Sequence, residues 1–415
     1  MNRICKTVSL VAFLALLTAA PAFTQTPSDE ATPAAKAAAP VAHVYVLTTK
    51  GVDVYAATAA GKLALVKGSP FSTSGQMEGI NGKYLISVGT DYLHTYPIES
   101  NGAVGKQASE INTQDYDGAQ CGATDGTGAI LDHTGKYFYV QLFGASYDGG
   151  ANTTCADWQS YQIEPDGAFT FLGSLEAGGG ADGSAYPSTV PTISSNDKFS
   201  YSITGGDCNC NFFVPFAKEA TGQLAQNSAF TYVGPQSDPA ARLLYEPTFA
   251  KADSTDHLAV LTAAVQNEGD GNIQSWQLAS FTIDNATGSI FSTNTVADMP
   301  TPQIPTPQEY GAVMEMSPSG KLLALAGGEN AIDGLQIFHF NGAAPITTYS
   351  SLLLPTVDLD QLAWDNDNHL HALSYSTGEL YVYTATPTSI KEVSGSPYKV
   401  ENAYGINGLI VVPKL

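Results

Sequence analysis

The sequence predicts an all-β chain that folds as a single seven-bladed β-propeller, with about four strands in each blade. One unit of this design runs from Met316 to Gly342 and opens with a Ser-Pro-Ser-Gly turn. The apolar run from Leu322 to Ala326 follows. It is too short for a helix and apolar on both faces, as expected of a strand buried between two layers. The alternating strand from Leu335 to Phe340 and an Asn-Gly hairpin turn complete the unit.

A second observation is that this unit recurs along the chain at intervals of roughly 50 to 60 residues. In each recurrence a lysine or histidine comes just before, or begins, a short apolar strand, and residues 42–71 form a further unit. Such a period, stretched by loop insertions, is typical of propeller blades. The recurring positions are Lys83, Lys136, Lys198, His257, Lys321 and His369.

The third strand of each unit alternates between apolar and polar residues, as in 158–163, 276–281 and 380–383. A turn with glycine follows, and an apolar residue comes two places later. Glycine supplies the positive φ of a hairpin turn without steric cost. No convincing amphipathic helix accompanies these strands. The turn pairs are Gly61 with Leu63, Gly102 with Val104, Gly167 with Phe169, Gly222 with Leu224 and Gly288 with Ile290.

A third observation concerns the two ends of the propeller. Residues 68–71 (GSPF) precede 79–82 (GING), and residues 395–398 (GSPY) precede 405–408 (GING) in the same way. The first unit lacks an inner strand of its own. We therefore expect the C-terminal strand, 409–412, to pair with the first strand, 43–47, and close the ring. Closure removes a sheet edge that would otherwise template aggregation.

The N-terminal residues are not expected to belong to the propeller. Residues 1–22 have a short basic start, an apolar stretch and a small-residue cleavage region, which is the pattern of a secretory signal peptide. Residues 23–40 are rich in alanine and proline and predict a disordered linker. The propeller is then 41–415, periplasmic or secreted, with no membrane span.

The charge balance limits the partners. The chain has 39 acidic and 17 basic residues, and its formal net charge is −22. Such a surface repels nucleic acid and anionic lipid, so neither is expected as a partner. We expect a monomer that binds a small molecule or a protein of the envelope or extracellular space.

Four cysteines follow the predicted signal peptide, and all lie in predicted loops. An even number in an oxidising compartment predicts two disulfides, with three pairings open. A metal or redox role for the closely spaced Cys208 and Cys210 is the alternative. The four are Cys121, Cys155, Cys208 and Cys210.

Three segments carry a family resemblance: the GSPF-type segment, the S-P-x-G-K turn at 317–321 and the I-D-x-x-T-G turn at 283–288. Together they resemble the seven-bladed lactonase-like propellers. That group is similar to the bacterial 6-phosphogluconolactonases and the muconate cyclases, and it includes exported relatives of no known activity. The resemblance covers nearly the whole predicted propeller and implies its architecture, because the matching residues are turns and core.

The resemblance also implies an enzyme site lined by several basic residues and histidines at the mouth of the central channel. This sequence offers only Arg242 there, and the same mapping puts His133 on the opposite face. A phosphate group needs cationic or helix N-terminal partners. The departure argues against a phosphosugar lactone as substrate.

The channel mouth is the predicted site. Loops that enter an inner strand, and loops between second and third strands, lie on the face where the channel opens, hereafter the mouth face. The long insertions map to this face: 114–127, 143–157, 178–187, 205–212, 236–246, 266–272 and 298–310.

Residues just before or at the start of each inner strand should surround the channel mouth. Arg242 would hold a substrate carboxylate, and Glu246 or Glu309 would act as general base toward water. A structural Arg242–Glu246 ion pair is the alternative. The predicted ligand-binding residues are Glu78, Asp125, Tyr186, Tyr245, Tyr310, Asp360 and Tyr404.

Other patterns are less specific. Residues 178–183 match G-x-G-x-x-G without the strand and helix that a nucleotide site needs. His369 and His371 share one side of a strand but have no evident third metal ligand, so ordinary strand positions are favoured. No cofactor is expected, although loop aspartates could bind calcium. These are Asp115, Asp117, Asp125, Asp148 and Asp157.

Two functional hypotheses remain open. The first is a binding scaffold whose polar, acidic channel mouth recognises a small molecule or a partner protein. The second is a lactone hydrolase or cyclase that acts at the same mouth without a phosphate-binding site.

Overall fold

The computed structural model describes residues 39–89, 91–113, 121–146, 154–176, 186–187, 191–205, 211–236, 244–265, 273–304, 313–327, 334–405 and 408–414. For residues 121–127, 143–146, 154–157, 176, 186–187, 204–205 and 273–274 we describe the backbone alone.

The described strands form seven sheets, antiparallel apart from one short parallel pair in blade 5, and each sheet is a blade of the propeller. Blade 1 holds β1 (Ala42–Thr48), β2 (Gly51–Ala57) and β3 (Leu63–Leu65). Blade 2 holds β4 (Gln76–Ile80), β5 (Tyr84–Val88), β6 (Tyr92–Pro97) and β7 (Ser109–Asn112). Blade 3 holds β8 (Cys121–Leu131), β9 (Tyr137–Ser146), β10 (Thr154–Ile163) and β11 (Phe169–Glu176). Blade 4 holds β12 (Tyr186–Pro187), β13 (Thr192–Ile193), β14 (Phe199–Gly205), β15 (Phe213–Lys218) and β16 (Leu224–Gln226).

The remaining blades repeat the pattern. Blade 5 holds β17 (Tyr232–Val233), which pairs parallel to the outer strand, then β18 (Leu244–Ala252), β19 (His257–Val265), β20 (Ile273–Ile283) and β21 (Ile290–Phe291). A short 3-10 helix, Val296–Asp298, leads to blade 6, with β22 (Val313–Met316), β23 (Leu322–Ala326), β24 (Leu335–Asn341) and β25 (Ala344–Thr348). Blade 7 holds β26 (Gln361–Trp364), β27 (His369–Ser374), β28 (Glu379–Thr386), β29 (Ser389–Glu392) and β30 (Tyr398–Lys399).

The last strand, β31 (Leu409–Pro413), closes the ring. It pairs antiparallel with β1, with Val412 opposite His43 and Leu409 opposite Val46. Blade 1 therefore has the order β3-β2-β1-β31, and its innermost strand comes from the other end of the chain. The predicted seven-bladed fold and its closure by the C-terminal strand are both confirmed.

The apolar second strands are buried because each blade packs against two neighbours. On β23, Leu322 and Ala324 belong to the core cluster shared with blade 7, whereas Leu323 and Leu325 belong to the cluster shared with blade 5. Alternate side chains thus point into different interfaces. Complete burial of one leucine stabilises the fold by about 1.5–3 kcal/mol, so an apolar residue is favoured at every position.

A repeated contact joins neighbouring blades on the face opposite the mouth. The hydroxyl of Tyr139 on β9 donates to the carbonyl of Gly222, in the last turn of the next blade, at 3.0 Å. Tyr45 makes the same bond to Gly102 at 3.0 Å, and Tyr201 makes it to Gly288 at 2.9 Å. Two residues earlier, a ring lies against the same glycine; these rings are His43, Tyr137 and Phe199. The turn glycines noted in the sequence are therefore contact points between blades.

The GSPF and GSPY segments have a common role. The Ser69 hydroxyl accepts the N–H of Val54 at 3.1 Å, and the Ser396 hydroxyl accepts the N–H of Val382 at 2.9 Å. In each case the amide belongs to the third strand of the blade. Its acceptor is the serine hydroxyl and not a carbonyl of the outer strand. The similarity of the two chain ends is thus structural.

The first-to-second-strand turns lie opposite the mouth and carry buried carboxylates. Asp132, 2 % exposed, accepts the N–H groups of Lys136 and Tyr137, each at 3.0 Å. The Lys218 ammonium lies 3.1 Å from the same carboxylate. His133 lies in this turn, on the side that the sequence mapping predicts, and contacts Asp197 at 2.7 Å.

Candidate functional site

The mouth face contains the N-terminal ends of the inner strands, including β4, β8, β18, β26 and β31. Predicted site residues fall on these strands or just before them. Several lie outside the described residues and stay predictions: Arg242, Glu309, Tyr310, Cys208 and Cys210.

Glu78 lies on a β-bulge of the innermost strand of blade 2. Met77 pairs with Ser87 and Gly79 pairs with Ile86, so Glu78 is the extra residue between them. Bulges reorient a side chain relative to the regular ladder and are frequent next to active sites. The Glu78 side chain is nevertheless only 7 % exposed. The structure thus holds a carboxylate on the strand that borders the channel, largely shielded from bulk solvent.

A second shielded carboxylate lies on the inner strand of blade 5. Glu246 is the third residue of β18 and is 8 % exposed. Its Oε2 lies 3.5 Å from the backbone nitrogen of Asn211, in the segment that enters β15 of blade 4. Tyr245, also 8 % exposed, packs in the cluster between blades 4 and 5. Two apolar side chains near this carboxylate are solvent-exposed, Phe212 by 51 % and Leu244 by 41 %.

Asp360 precedes the inner strand of blade 7 and orders a turn on the mouth face. Its Oδ2 accepts the N–H of Tyr375, in the β27–β28 turn, at 2.6 Å. The Tyr375 hydroxyl donates to the carbonyl of Gly405 at 2.5 Å. Burial raises the pKa of Tyr375, and the Asp360 carboxylate acts in the same direction. This phenol therefore stays protonated and links blade 7 to the segment that enters β31.

The segment that enters β31 also touches blade 2. A Cβ at Gly405 would lie 2.6 Å from the Gln76 side-chain oxygen, and one at Gly408 would lie 2.3 Å from the Tyr375 hydroxyl. Gly405 also has φ +104°, and a Cβ at Gly408 would lie 2.5 Å from the carbonyl oxygen of Tyr404, so both glycines of the GING segment at 405–408 are favoured by the fold. Tyr404 directly precedes Gly405, donates its N–H to the carbonyl of Leu47 at 3.1 Å and is 38 % exposed.

Tyr375 is a mouth-face residue that was not predicted from the sequence. It lies in a Ser-Tyr-Ser-Thr-Gly turn between second and third strands, which the mapping assigns to the mouth face. The turn is short, however, whereas the predicted mouth-face loops were the long insertions, and Tyr375 was therefore not among the predicted residues. Its contact with Gly405 depends on ring closure, because the two residues belong to different blades.

The backbone alone is described for the other predicted residues. Asp125 lies on β8, opposite Phe143, and Tyr186 begins β12, opposite Gly205. The prediction that the cysteines lie in loops is wrong for two of them, because the strands extend further than expected: Cys121 is on β8, paired with Ser146, and Cys155 is on β10, paired with Gly144. The two disulfides stay a prediction.

The alternatives considered for metals and nucleotides gain no support from the described part of the chain. No group of three or more His, Cys, Asp or Glu side chains suited to a metal is found there. His369 and His371 do lie on one side of β27, with Asp365 as their shared neighbour. The glycine-rich residues 178–183 and the loop aspartates, apart from the backbone of Asp125 and Asp157, are outside the described residues. Within the described chain, no helix is long and apolar enough to cross a membrane.

Comparison with known proteins gives matches to solved structures alone. No protein-family model matches the sequence, and no curated protein matches it significantly. A candidate 6-phosphogluconolactonase from Bacteroides fragilis NCTC 9343 is similar, with a TM-score of 0.57, 15 % identity, and coverage of 90 % of this chain and 98 % of that one. A candidate 6-phosphogluconolactonase from Bacteroides uniformis gives a TM-score of 0.58 at 13 % identity, covering 90 % and 99 %.

The periplasmic gluconolactonase of Pseudomonas aeruginosa is a further similar structure. Its TM-score is 0.50 at 13 % identity, with coverage of 90 % of this chain and all (100 %) of that one. At such identities the likeness is informative about architecture and leaves the chemistry open. The chain therefore has the fold of the lactonase-like seven-bladed propellers, as the sequence resemblance implies.

Proposed function

We propose that this protein hydrolyses an uncharged sugar lactone at the mouth of its channel. The observation that carries the proposal is the pair Glu78 and Glu246. Each carboxylate is less than a tenth exposed, and each lies on an inner strand, in a fold shared with a gluconolactonase. Shielded polar groups on strands that border a concave site are candidates for ligand binding or catalysis.

The reaction needs one base and a set of hydroxyl-binding groups. We assign Glu246 as the base that takes a proton from water while the oxygen attacks the lactone carbonyl. The ring C–O bond then breaks, and the proton returns to the leaving ring oxygen, so that lactone and water give a hydroxy acid. Glu78 and Asp360 would accept hydrogen bonds from sugar hydroxyls, and Arg242 would hold the developing carboxylate.

Charge favours an uncharged substrate. Three carboxylates, those of Glu78, Glu246 and Asp360, lie on the described part of the mouth face. Lys50, in the β1–β2 turn on the same face, lies 4.0 Å from Glu401, so its charge is already offset by a carboxylate. A phosphate ester would meet repulsion from these carboxylates. The proposal therefore excludes 6-phosphorylated lactones as good substrates.

The test incubates purified protein lacking residues 1–22 with glucono-1,5-lactone and follows acid release with a pH indicator, relative to spontaneous hydrolysis. Glu246→Gln should lower kcat by about 10²–10⁴-fold, and Glu78→Gln should mainly raise KM. Glu219→Gln is the matched control, because Glu219 is exposed in a turn on the opposite face. Absence of any acceleration over a panel of sugar lactones, or full activity of the Glu246 variant, would refute the assignment.

A second candidate is binding without turnover, which the exposed Phe212 and Leu244 beside Glu246 favour. Exposed apolar side chains next to polar groups are typical of contact surfaces. In this case isothermal calorimetry should detect a sugar lactone or a polyol binding to wild type without hydrolysis. Substituting both apolar residues by serine should weaken that binding, while Glu246→Gln should affect it less.

A further inference from the structure

Four buried histidines lie in the two interfaces that flank blade 1, the blade that closes the ring. His43 and His94 are 1 % and 6 % exposed, and His369 and His371 are 2 % and 0 % exposed. On β1 and β6 these histidines share a strand face with the residues that pack between blades 1 and 2. On β27 they lie on the opposite face from the residues that pack between blades 6 and 7. Side-chain alternation therefore places the first pair between blades 1 and 2 and the second pair between blades 7 and 1.

The interface of blades 1 and 2 shields two imidazoles. The His43 ring lies against Gly102, and neither ring nitrogen has a partner in good hydrogen-bond geometry. Burial lowers the pKa of His43; Lys414, beyond β31, acts in the same direction and the Asn101 backbone opposes. His94 lies 3.3 Å from Glu110 on β7, yet burial still lowers its pKa.

The interface of blades 7 and 1 holds a histidine pair around one carboxylate. His369 Nδ1 lies 2.7 Å from Asp365, and its ring faces Gly61 of blade 1. His371 Nε2 lies 3.7 Å from the same carboxylate. Burial lowers the pKa of His371, with Asp365 opposing and His369 adding to the effect. Burial alone would raise the pKa of Asp365, but the histidine hydrogen bonds outweigh it and hold that pKa well below its ordinary range.

Packing alone does not explain why histidine occupies these positions in blades 1 and 7. At the position of His43, blades 2, 3 and 4 have Tyr84, Tyr137 and Phe199, each against a turn glycine. At the position of His371, blades 1, 3 and 4 have Tyr45, Tyr139 and Tyr201, each bonded to a glycine carbonyl. One further histidine, His257, occupies the position of His43 in blade 5, but 22 % of its side chain is exposed.

We propose that blade 1 closes the ring in an acid-sensitive way: its two interfaces are tight while the buried His43, His94 and His371 are neutral, and they loosen when these histidines are protonated. Loosening would begin in the two interfaces of blade 1 and expose β31, whose one strand partner in the described sheets is β1. This inference does not depend on the proposed lactone chemistry.

The direction of the pH effect follows from linkage. A histidine kept neutral in the fold binds its proton more readily when unfolded, where its pKa is about 6.5. Stability is therefore full above pH 6.5 and falls as the pH drops below it, until the folded-state pKa is reached. Each such histidine lowers the folding equilibrium constant about tenfold per pH unit in that window.

Hydrogen–deuterium exchange of the wild-type protein at pH 7 and pH 5, corrected for intrinsic exchange rates, tests the proposal directly. Between pH 7 and pH 5, the protection factors of peptides spanning β1, β2 and β31 should fall at least tenfold more than those of peptides from blade 5. Equal changes in blades 1 and 5 would overturn the proposal.

The variant His43→Phe/His371→Tyr provides a second test, because these residues occur at the equivalent positions of other blades. Its melting temperature should fall less than that of wild type between pH 7 and pH 5. The control His133→Gln, whose side chain is 58 % exposed on the opposite face, should retain the wild-type profile. A double variant whose melting temperature changes with pH as that of wild type does would contradict the proposal. If the double variant does not fold, the hydrogen–deuterium exchange measurement decides.

Discussion

Replacing Gly222 with alanine tests whether a turn glycine fixes the contact between blades 3 and 4. Gly222 has φ +95°, and a Cβ there would lie 2.0 Å from Cε1 of Tyr137. The left-handed conformation costs a residue with a Cβ about 1–2 kcal/mol. Overfilling a packed site costs about 1–3 kcal/mol more. We therefore expect the substitution to lower the free energy of unfolding by about 2–5 kcal/mol.

The chain itself suggests how to separate these two costs. In blade 6 the position of Tyr137 holds the smaller Leu322, and the turn of blade 7 that corresponds to the Gly222 turn, residues 387–388, contains no glycine. Leucine at this position is thus found together with a turn that lacks glycine. In a Tyr137→Leu background the clash should be relieved and the conformational strain kept, so that alanine costs about 1–2 kcal/mol.

Urea unfolding followed by circular dichroism measures the double-mutant cycle. Gly79→Ala is the control, because its Cβ would meet its nearest atom at 3.6 Å and its φ is not in the left-handed region. An equal cost of Gly222→Ala in both backgrounds would refute the proposed steric contact with the ring.

Three further predictions concern single groups. Tyr375→Phe removes the bond to Gly405 and should destabilise the protein by about 0.5–1.5 kcal/mol, measured by urea unfolding; an unchanged midpoint would show that the bond contributes nothing. Asp132→Ala leaves two turn N–H groups and Lys218 without their acceptor and should lower stability by about 2–5 kcal/mol, whereas Glu99→Ala in an exposed turn should cost under about 0.5 kcal/mol. Burial, then the Asp53 charge, raises the pKa of Tyr55 to about 12. Because the unfolded phenol ionises near pH 10, stability should fall between pH 10 and 12, and Tyr55→Phe should lessen that fall; identical melting profiles for the two proteins would contradict the assignment.

The candidate site was only partly accessible to sequence reasoning. Glu78, Glu246 and Asp360 were predicted because they stand at or near the start of an apolar strand, which is a local pattern. The sequence did not show that Glu78 occupies a bulge, since a bulge depends on register with β5. Tyr375 was missed because its partner, Gly405, is distant in the chain and belongs to the closing segment.

The sequence by itself determined the number of blades and the closure of the ring. Turn residues and apolar alternation act over a few positions, and both repeat in every unit, so that the periodicity is visible without coordinates. The repetition of the GSP segment near both ends predicted that the C-terminal strand pairs with the first strand. In the structure the serines of these segments accept hydrogen bonds from third-strand amides.

Only the tertiary structure decided which polar groups are shielded and which blades they join. His43 and His371 look like ordinary strand residues, and their concentration around blade 1 emerges when the first and last strands share a sheet. The burial of Glu78 and Glu246 likewise depends on neighbouring blades. Shielding and electrostatics are set by all the elements that surround a group, and no local sequence pattern contains that information.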